Sequence, residues 1–206
     1  MPEHELHVIS NGKLAWAELA AIAAEIHPYV TAIHIREKTR SMDENYIGLQ
    51  FLLDKGIPAN RIYMNGFPWI AAAEKLGGLH LPGRSPALPT IKNSCEGVQR
   101  IGLSIHSKEE AQLREEEGAD YLLYGHIFET RSKEGAEPRK LHQLQNVAGC
   151  VSIPVIAIGG ITPGRVQSVL DAGASGVAVM SGIWEAADPV AAVLAYKRGL
   201  ERTEVS

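Results

Sequence analysis

At 206 residues, 45% of them hydrophobic and 21% charged, the chain has an ordinary globular composition, with room for one large core or two small ones. A formal net charge of −4 gives no general attraction to nucleic acid or anionic membranes, and no basic run or aromatic-basic stripe argues otherwise. Cys95 and Cys150 lack metal-ligand spacing and read as reduced structural thiols. No apolar run approaches the roughly 20 residues of a bilayer span, and the N-terminus has no leader-like pattern, so a cytoplasmic location is expected.

In chain order, a short strand is expected over 6–9, ending at Ser10-Asn11-Gly12. Apolar residues recurring at three and four predict a helix over 14–26, stopped by Pro28. The β-branched run 30–35 is the second strand and leads straight into Arg36-Glu37-Lys38. A helix over 42–53, a strand over 61–64 ending in Asn65-Gly66, and a helix over 68–76 follow. Residues 79–81 form a brief strand broken by Pro82-Gly83, and 86–96 is poorly periodic. A strand over 100–104 ends in Ile105-His106. Ser107, with Glu110 three residues on, reads as a capping box for a helix to Glu117. The apolar run Tyr121-Leu122-Leu123-Tyr124 is the sixth strand. It stops at Gly125-His126 and opens into Phe128, Glu129, Thr130, Arg131, Ser132 and Lys133. A helix over 141–147, a strand over 154–158, a helix begun by Thr162-Pro163, a strand over 176–180 and a helix from Pro189 to about Leu200 complete the chain.

Eight strands, each followed by a helix or a helix-length connection, predict a single-domain (β/α)8 TIM barrel over 1–206. Strands six to eight are continuous apolar runs, as expected of strands covered on both faces. A doubly wound open sheet fits less well, because no G-x-G-x-x-G follows the first strand.

In such a barrel the C-terminal strand ends share one mouth. Arg36, Asn65, His80, His106, His126, Gly159-Gly160 and Ser181-Gly182 would meet there. Gly159, Gly160, Ser181 and Gly182 follow strands seven and eight, where barrels often bind phosphate through backbone N–H groups; the alternative is two tight turns. Arg36 can clamp a carboxylate or phosphate, or pair with Glu37. His34, His80, His106 and His126 invite a metal reading. No strand-end Asp accompanies them, so no metal is expected. His34 and His80 fit hydrogen-bonded wall positions. His126, given room by Gly125, is the candidate proton shuttle, since imidazole titrates near neutral pH.

The set Ile35-Arg36-Glu37-Lys38, Met64-Asn65-Gly66, Ile105-His106-Ser107, Gly125-His126-Ile127-Phe128-Glu129-Thr130, Ile158-Gly159-Gly160-Ile161 and Met180-Ser181-Gly182-Ile183 resembles the thiamin phosphate synthase superfamily over nearly the whole chain. Four departures point to a branch. The synthases carry Gln before their Arg-Glu-Lys set, where this chain has His34-Ile35-Arg36. They carry Asn-Asp after strand three, where it has Asn65-Gly66. A second metal-binding Asp follows their strand four, where it has Pro82-Gly83-Arg84-Ser85. Their strand six ends in Gly-Pro, where it has Gly125-His126. These departures are similar to the TenI-type thiazole tautomerases, which aromatise a carboxythiazole phosphate of thiamin biosynthesis without metal or cofactor. The resemblance implies that His126 matches the family's catalytic histidine, and the physical reading agrees: the loops holding Gly159, Gly160, Ser181 and Gly182 would anchor the phosphate. Arg36 would hold the substrate carboxylate, with Asn65, His106 and Thr130 as lesser candidates for the wall. Alternatives are a synthase-type transferase and a non-enzymatic regulatory ligand-binding barrel. The expected partner is a small-molecule thiazole phosphate carboxylate, with no nucleic acid and no membrane. A homo-oligomer through outer helices fits barrels of this size, with Trp69, Trp184 and Tyr196 as contact candidates if they are not core.

Overall fold

Alternation along eight short strands sorts the side chains into an outward apolar set and an inward, largely polar set. The computed structural model describes residues 4–130, 135 and 137–201; Arg131, Ser132 and Lys133 of the polar loop lie outside the described residues. The strands are β1 (Glu5–Ile9), β2 (Ala32–Ile35), β3 (Ile62–Asn65), β4 (Gly78–Leu81), β5 (Arg100–Ile105), β6 (Tyr121–Gly125), β7 (Val155–Ile158) and β8 (Gly176–Val179). Each pairs in parallel with the next, and β8 pairs with β1, so the sheet closes into a (β/α)8 barrel. The helices are α1 (Trp16–Ile26), α2 (Met42–Asp54), α3 (Pro68–Ala73), α4 (Leu88–Lys92), α5 (Lys108–Glu116), α6 (Lys140–Ala148), α7 (Val166–Asp171), α8 (Ser181–Trp184) and α9 (Pro189–Glu201).

The outward residues, such as Val8, Ile33, Met64, Leu103 and Val177, join the buried helix faces in the main core. Burying such side chains contributes about 1.5–3 kcal/mol each, the dominant favourable contribution to folding. Inside the barrel, Tyr63 and Tyr121 fill the volume and pack with Ile9, Ala32, Leu123, Ile156 and Ala178. Both rings lean over glycines. A β-carbon on Gly78 would lie 2.3 Å from the Tyr63 ring, and one on Gly102 would lie 2.1 Å from that of Tyr121. The two smallest residues of β4 and β5 therefore make room for the two largest inward residues of β3 and β6.

Sequence and structure differ in detail. The connection after β7 begins as a 3₁₀ turn, Pro163–Arg165, and Thr162 makes no side-chain cap. Ser181 and Gly182 lie in the four-residue helix α8, where the sequence suggested a loop. Ser107 accepts from the Glu110 N–H (3.2 Å), but Glu110 returns its carboxylate to the N–H of His106 (2.6 Å), so the capping box closes one residue early. Trp184 and Tyr196 are core residues that donate to the carbonyls of Ile9 and Ile161. Trp69 is 66% exposed and, with Met42, Tyr46 and Ile47, lines an apolar surface groove of about 390 Å³ between α2 and α3. Among the described residues no helix is long and apolar enough to cross a membrane.

Replacing Gly102 by Ala forces its methyl group into the Tyr121 ring. Urea unfolding of Gly102→Ala is expected to show a loss of about 1–3 kcal/mol, the usual effect of overpacking.

Candidate active site at the barrel mouth

The β6–β7 side of the mouth is built by close backbone approach. Ile127 and Phe128 donate their N–H groups to the carbonyls of Ile158 (2.9 Å) and Gly159 (3.0 Å), tying the loop after β6 to the end of β7. Only glycine fits across this seam. A β-carbon on Gly125 would lie 2.0 Å from the Ile158 oxygen, one on Gly159 2.3 Å from the His126 β-carbon, and one on Gly160 2.3 Å from the Glu129 oxygen. Gly159 and Gly160 also hold φ of 102° and 64°, the left-handed region that glycine enters without strain. His126 is therefore packed directly against the loop expected to hold phosphate. It is 8% exposed, while Thr130 is partly exposed and Glu129 faces solvent.

Two arginines that sequence reasoning missed brace this side. Arg139 donates to the carbonyls of Gly125 (3.3 Å) and His106 (2.5 Å) and lies over the Tyr124 ring. Arg165 donates to the Gly160 carbonyl (2.8 Å) and stacks on Phe128. The ends of β5, β6 and β7 are thus held by guanidinium groups whose charge is spent on carbonyls. Their basic character was visible in the chain; their distant partners were not. The N–H groups of Gly159, Gly160, Ser181 and Gly182 donate no hydrogen bond among the described residues. Gly182 also packs against Tyr196, whose hydroxyl would lie 2.5 Å from an added β-carbon.

Arg36 stands four strands away, across the mouth from His126. Its N–H donates to the buried Ser10 hydroxyl (2.8 Å), and Ser10 in turn donates its N–H to the His34 carbonyl (2.9 Å). The guanidinium makes no hydrogen bond or ion pair among the described residues, and burial draws its pKa down. Glu37, the partner considered for it, is 3% exposed and faces Arg40 at 3.3 Å and the Gly12 N–H at 3.2 Å. His106 is exposed, with its ring 3.7 Å from the position of a β-carbon on Gly83, beside the loop after β4.

Below the mouth, His34 and His80 are paired wall residues. His34 contacts Asn65 (Nδ1 to Oδ1, 3.0 Å) and His7 (Nε2 to Nδ1, 2.9 Å). His80 contacts the Tyr121 hydroxyl (3.1 Å) and that of Ser104 (2.8 Å). His7 then meets Glu5 at 2.9 Å, and Glu5 pairs with Arg100 at 2.7 Å. Burial pulls the His80 imidazole down to about 3, helped by the charges of His7 and Arg36. It also holds His34 well below, and His7 below, the ordinary histidine range. Glu5 feels burial in the opposite sense, yet hydrogen bonds from His7 and Arg100 keep it at about 2.

The synthase resemblance raises magnesium, which takes oxygen ligands and usually needs carboxylates. The ends of β3 and β4 carry Asn65-Gly66 and Pro82-Gly83-Arg84-Ser85, with no acid in either. Among the described residues, no group of three or more His, Cys, Asp or Glu could hold a metal ion. These residues do not fit the group.

A closed parallel barrel with a polar mouth, a glycine loop after β7, a short helix after β8 and a histidine at the end of β6 has the architecture of (β/α)8 barrel enzymes. The family model for TMP-TENI, thiamine monophosphate synthase, matches residues 6–183, and the chain belongs to that family of thiamine biosynthesis. The thiamine-phosphate synthase of Moorella thermoacetica is 33% identical over 199 residues, 93% of each chain. That of Chloroflexus aurantiacus is 34% identical over 202 residues, 95% of this chain and 91% of the relative. The solved thiamine phosphate pyrophosphorylase from Pyrococcus furiosus superposes with a TM-score of 0.79 at 28% identity, covering 96% of this chain and 95% of that one. A 3-hexulose-6-phosphate synthase from Salmonella typhimurium, at TM-score 0.76 and 16% identity over 97% and 100% of the chains, shares the fold alone.

The buried imidazoles make stability depend on pH. The unfolded chain binds protons at His7, His34 and His80 below about pH 6.5, whereas the folded barrel resists them, down to about 3 at His80. Stability is therefore full above about pH 6.5 and falls as pH drops, by about 1.4 kcal/mol per pH unit for each excluded proton. Loss of the Glu5 contribution adds to this below about pH 4.3. Urea titrations at pH 7, 6 and 5 should show a steadily falling midpoint, with a shallower fall in His80→Gln.

Proposed function

We propose that the protein is an aromatising thiazole tautomerase, moving a proton on a carboxythiazole phosphate by means of His126. The contact of His126 with the Gly159-Gly160 loop carries this reading. A phosphate on the N–H groups of Gly159, Gly160, Ser181 and Gly182, none of which has an acceptor among the described residues, would bring its attached ring beside the imidazole. Arg36, across the mouth and with no hydrogen bond or ion pair of its guanidinium among the described residues, suits the ring's own carboxylate. Asn65, His106 and Thr130 complete the wall. A base removes the proton from the ring carbon bearing the carboxylate, and a proton is delivered to the exocyclic carbon. The ring becomes aromatic, so the drive lies in the substrate. The protein supplies an anchor and a proton carrier, an effect of about 10²–10⁴-fold.

The second reading is the transferase, and the relatives favour it by name: those at about a third identity over more than nine-tenths of the chain are thiamine-phosphate synthases. Displacing pyrophosphate builds charge on the leaving group that a metal ordinarily neutralises. Asn65-Gly66 and Pro82-Gly83-Arg84-Ser85 supply no carboxylate for one, which is why the isomerase reading is preferred on the residues of the mouth.

His126→Ala is expected to fold and to bind the aromatic carboxythiazole phosphate, while tautomerisation followed by NMR slows by about 10² or more. Turnover close to wild type would remove His126 from the mechanism. The wild-type protein, given pyrimidine pyrophosphate, thiazole phosphate and magnesium, is expected to form no thiamine phosphate; its formation at a useful rate would establish the transferase instead.

A further inference from the structure

A continuous buried line runs from the lower end of the barrel to Asn65 at the mouth. Glu5 receives Arg100 (2.7 and 3.2 Å) and touches His7 Nε2 (2.9 Å). His7 Nδ1 meets His34 Nε2 (2.9 Å), and His34 Nδ1 meets the Asn65 amide (3.0 Å). His7 and His34 are both 0% exposed. His80 stays out of the line, because Tyr121 and Ser104 take both of its ring nitrogens.

The line can be read as a count of protons. The Glu5 carboxylate can only accept, so His7 Nε2 carries the hydrogen. A neutral His7 then has a bare Nδ1, and His34 must donate Nε2–H to it. A neutral His34 is left with a bare Nδ1 facing Asn65. An amide oxygen cannot donate there, whereas Nδ2 can. The amide oxygen and nitrogen exchange places by a half-turn of the side-chain amide at the same 3.0 Å contact, so the hydrogen-bond partners decide between them. The opposite arrangement, with Oδ1 toward His34, needs one more proton on the line. That would put an imidazolium inside the barrel beside Arg100 and His80, where burial opposes it.

We propose that Glu5, His7 and His34 are positioning residues that set the Asn65 amide, drawing its Nδ2–H onto His34 and turning its Oδ1 to the barrel mouth. The end of β3 then offers an acceptor, opposite in kind to the Arg36 guanidinium at the end of β2. The pair selects a ligand with an N–H or O–H group toward Asn65 and an anionic group toward Arg36. This inference does not rest on the tautomerase reading; it needs only Asn65 at the mouth.

The test is the tautomer of each ring, read from long-range proton–nitrogen correlation spectra of the full-length protein labelled in histidine, near neutral pH. His34→Gln and His80→Gln assign the signals. Wild-type His7 and His34 are each expected to show a protonated Nε2 and a bare Nδ1. An Nδ1–H tautomer, an averaged signal or an imidazolium at either wild-type ring overturns the proposal. Asn65→Asp tests the upper end of the line: a carboxylate cannot donate to His34, which should gain a proton at Nδ1. A His34 that keeps its bare Nδ1 there also overturns it.

Discussion

The Glu5–Arg100 ion pair closes the lower end of the barrel and sets the terms for everything stacked above it. Its charges are brought together from β1 and β5, 95 positions apart in the chain. Glu5 would be costly to bury alone; paired with Arg100 it can also receive His7. His7 then supports His34, and His34 supports Asn65. Arg100 further lies over the Tyr121 ring, whose hydroxyl meets His80. A small parallel barrel filled by tyrosines and histidines, rather than by branched aliphatic side chains alone, depends on this pairing, because buried polar atoms are tolerated only when hydrogen-bonded.

The mouth divides by strand order. On the β5–β7 side, Arg139 and Arg165 brace backbone, and glycines bring loops within van der Waals distance of one another. On the β1–β3 side, side chains are braced by side chains, from Ser10 under Arg36 to His34 under Asn65. A ligand spanning the opening meets N–H donors and an imidazole at one end and a guanidinium at the other. On the proposed reading, this polarity suits a small molecule with an anionic group at each end. Family membership and the mouth residues thus answer different questions: the first specifies a barrel of thiamine biosynthesis, and the second narrows the chemistry such a mouth can perform.

Much of this was legible in the chain because it rests on local rules. Apolar runs ending in Gly-His, Gly-Gly and Ser-Gly mark strands that stop at a mouth, and eight strand–helix alternations imply closure. Four-residue α8 was not legible, since so short a helix carries no periodicity. The misplaced return of Glu110, to His106 rather than Ser107, depends on a turn whose shape is set by β5. The glycines at 159 and 160 read as phosphate loop or tight turn. Their fit against His126 and Glu129 gives a packing reason for them that holds with or without a ligand.

By itself, the sequence determined the fold class, the placing of Arg36, Asn65, His106 and His126 at strand ends, and the absence of acids after β3 and β4. Those properties follow from hydrophobic period and residue identity. Only the tertiary structure decided which groups are partners: Glu37 with Arg40 rather than Arg36, Arg139 across β5 and β6, and the line from Glu5 to Asn65. The physical reason is that a hydrogen bond acts over about 3 Å of space and is blind to sequence separation. In a closed barrel, consecutive contacts come from different strands.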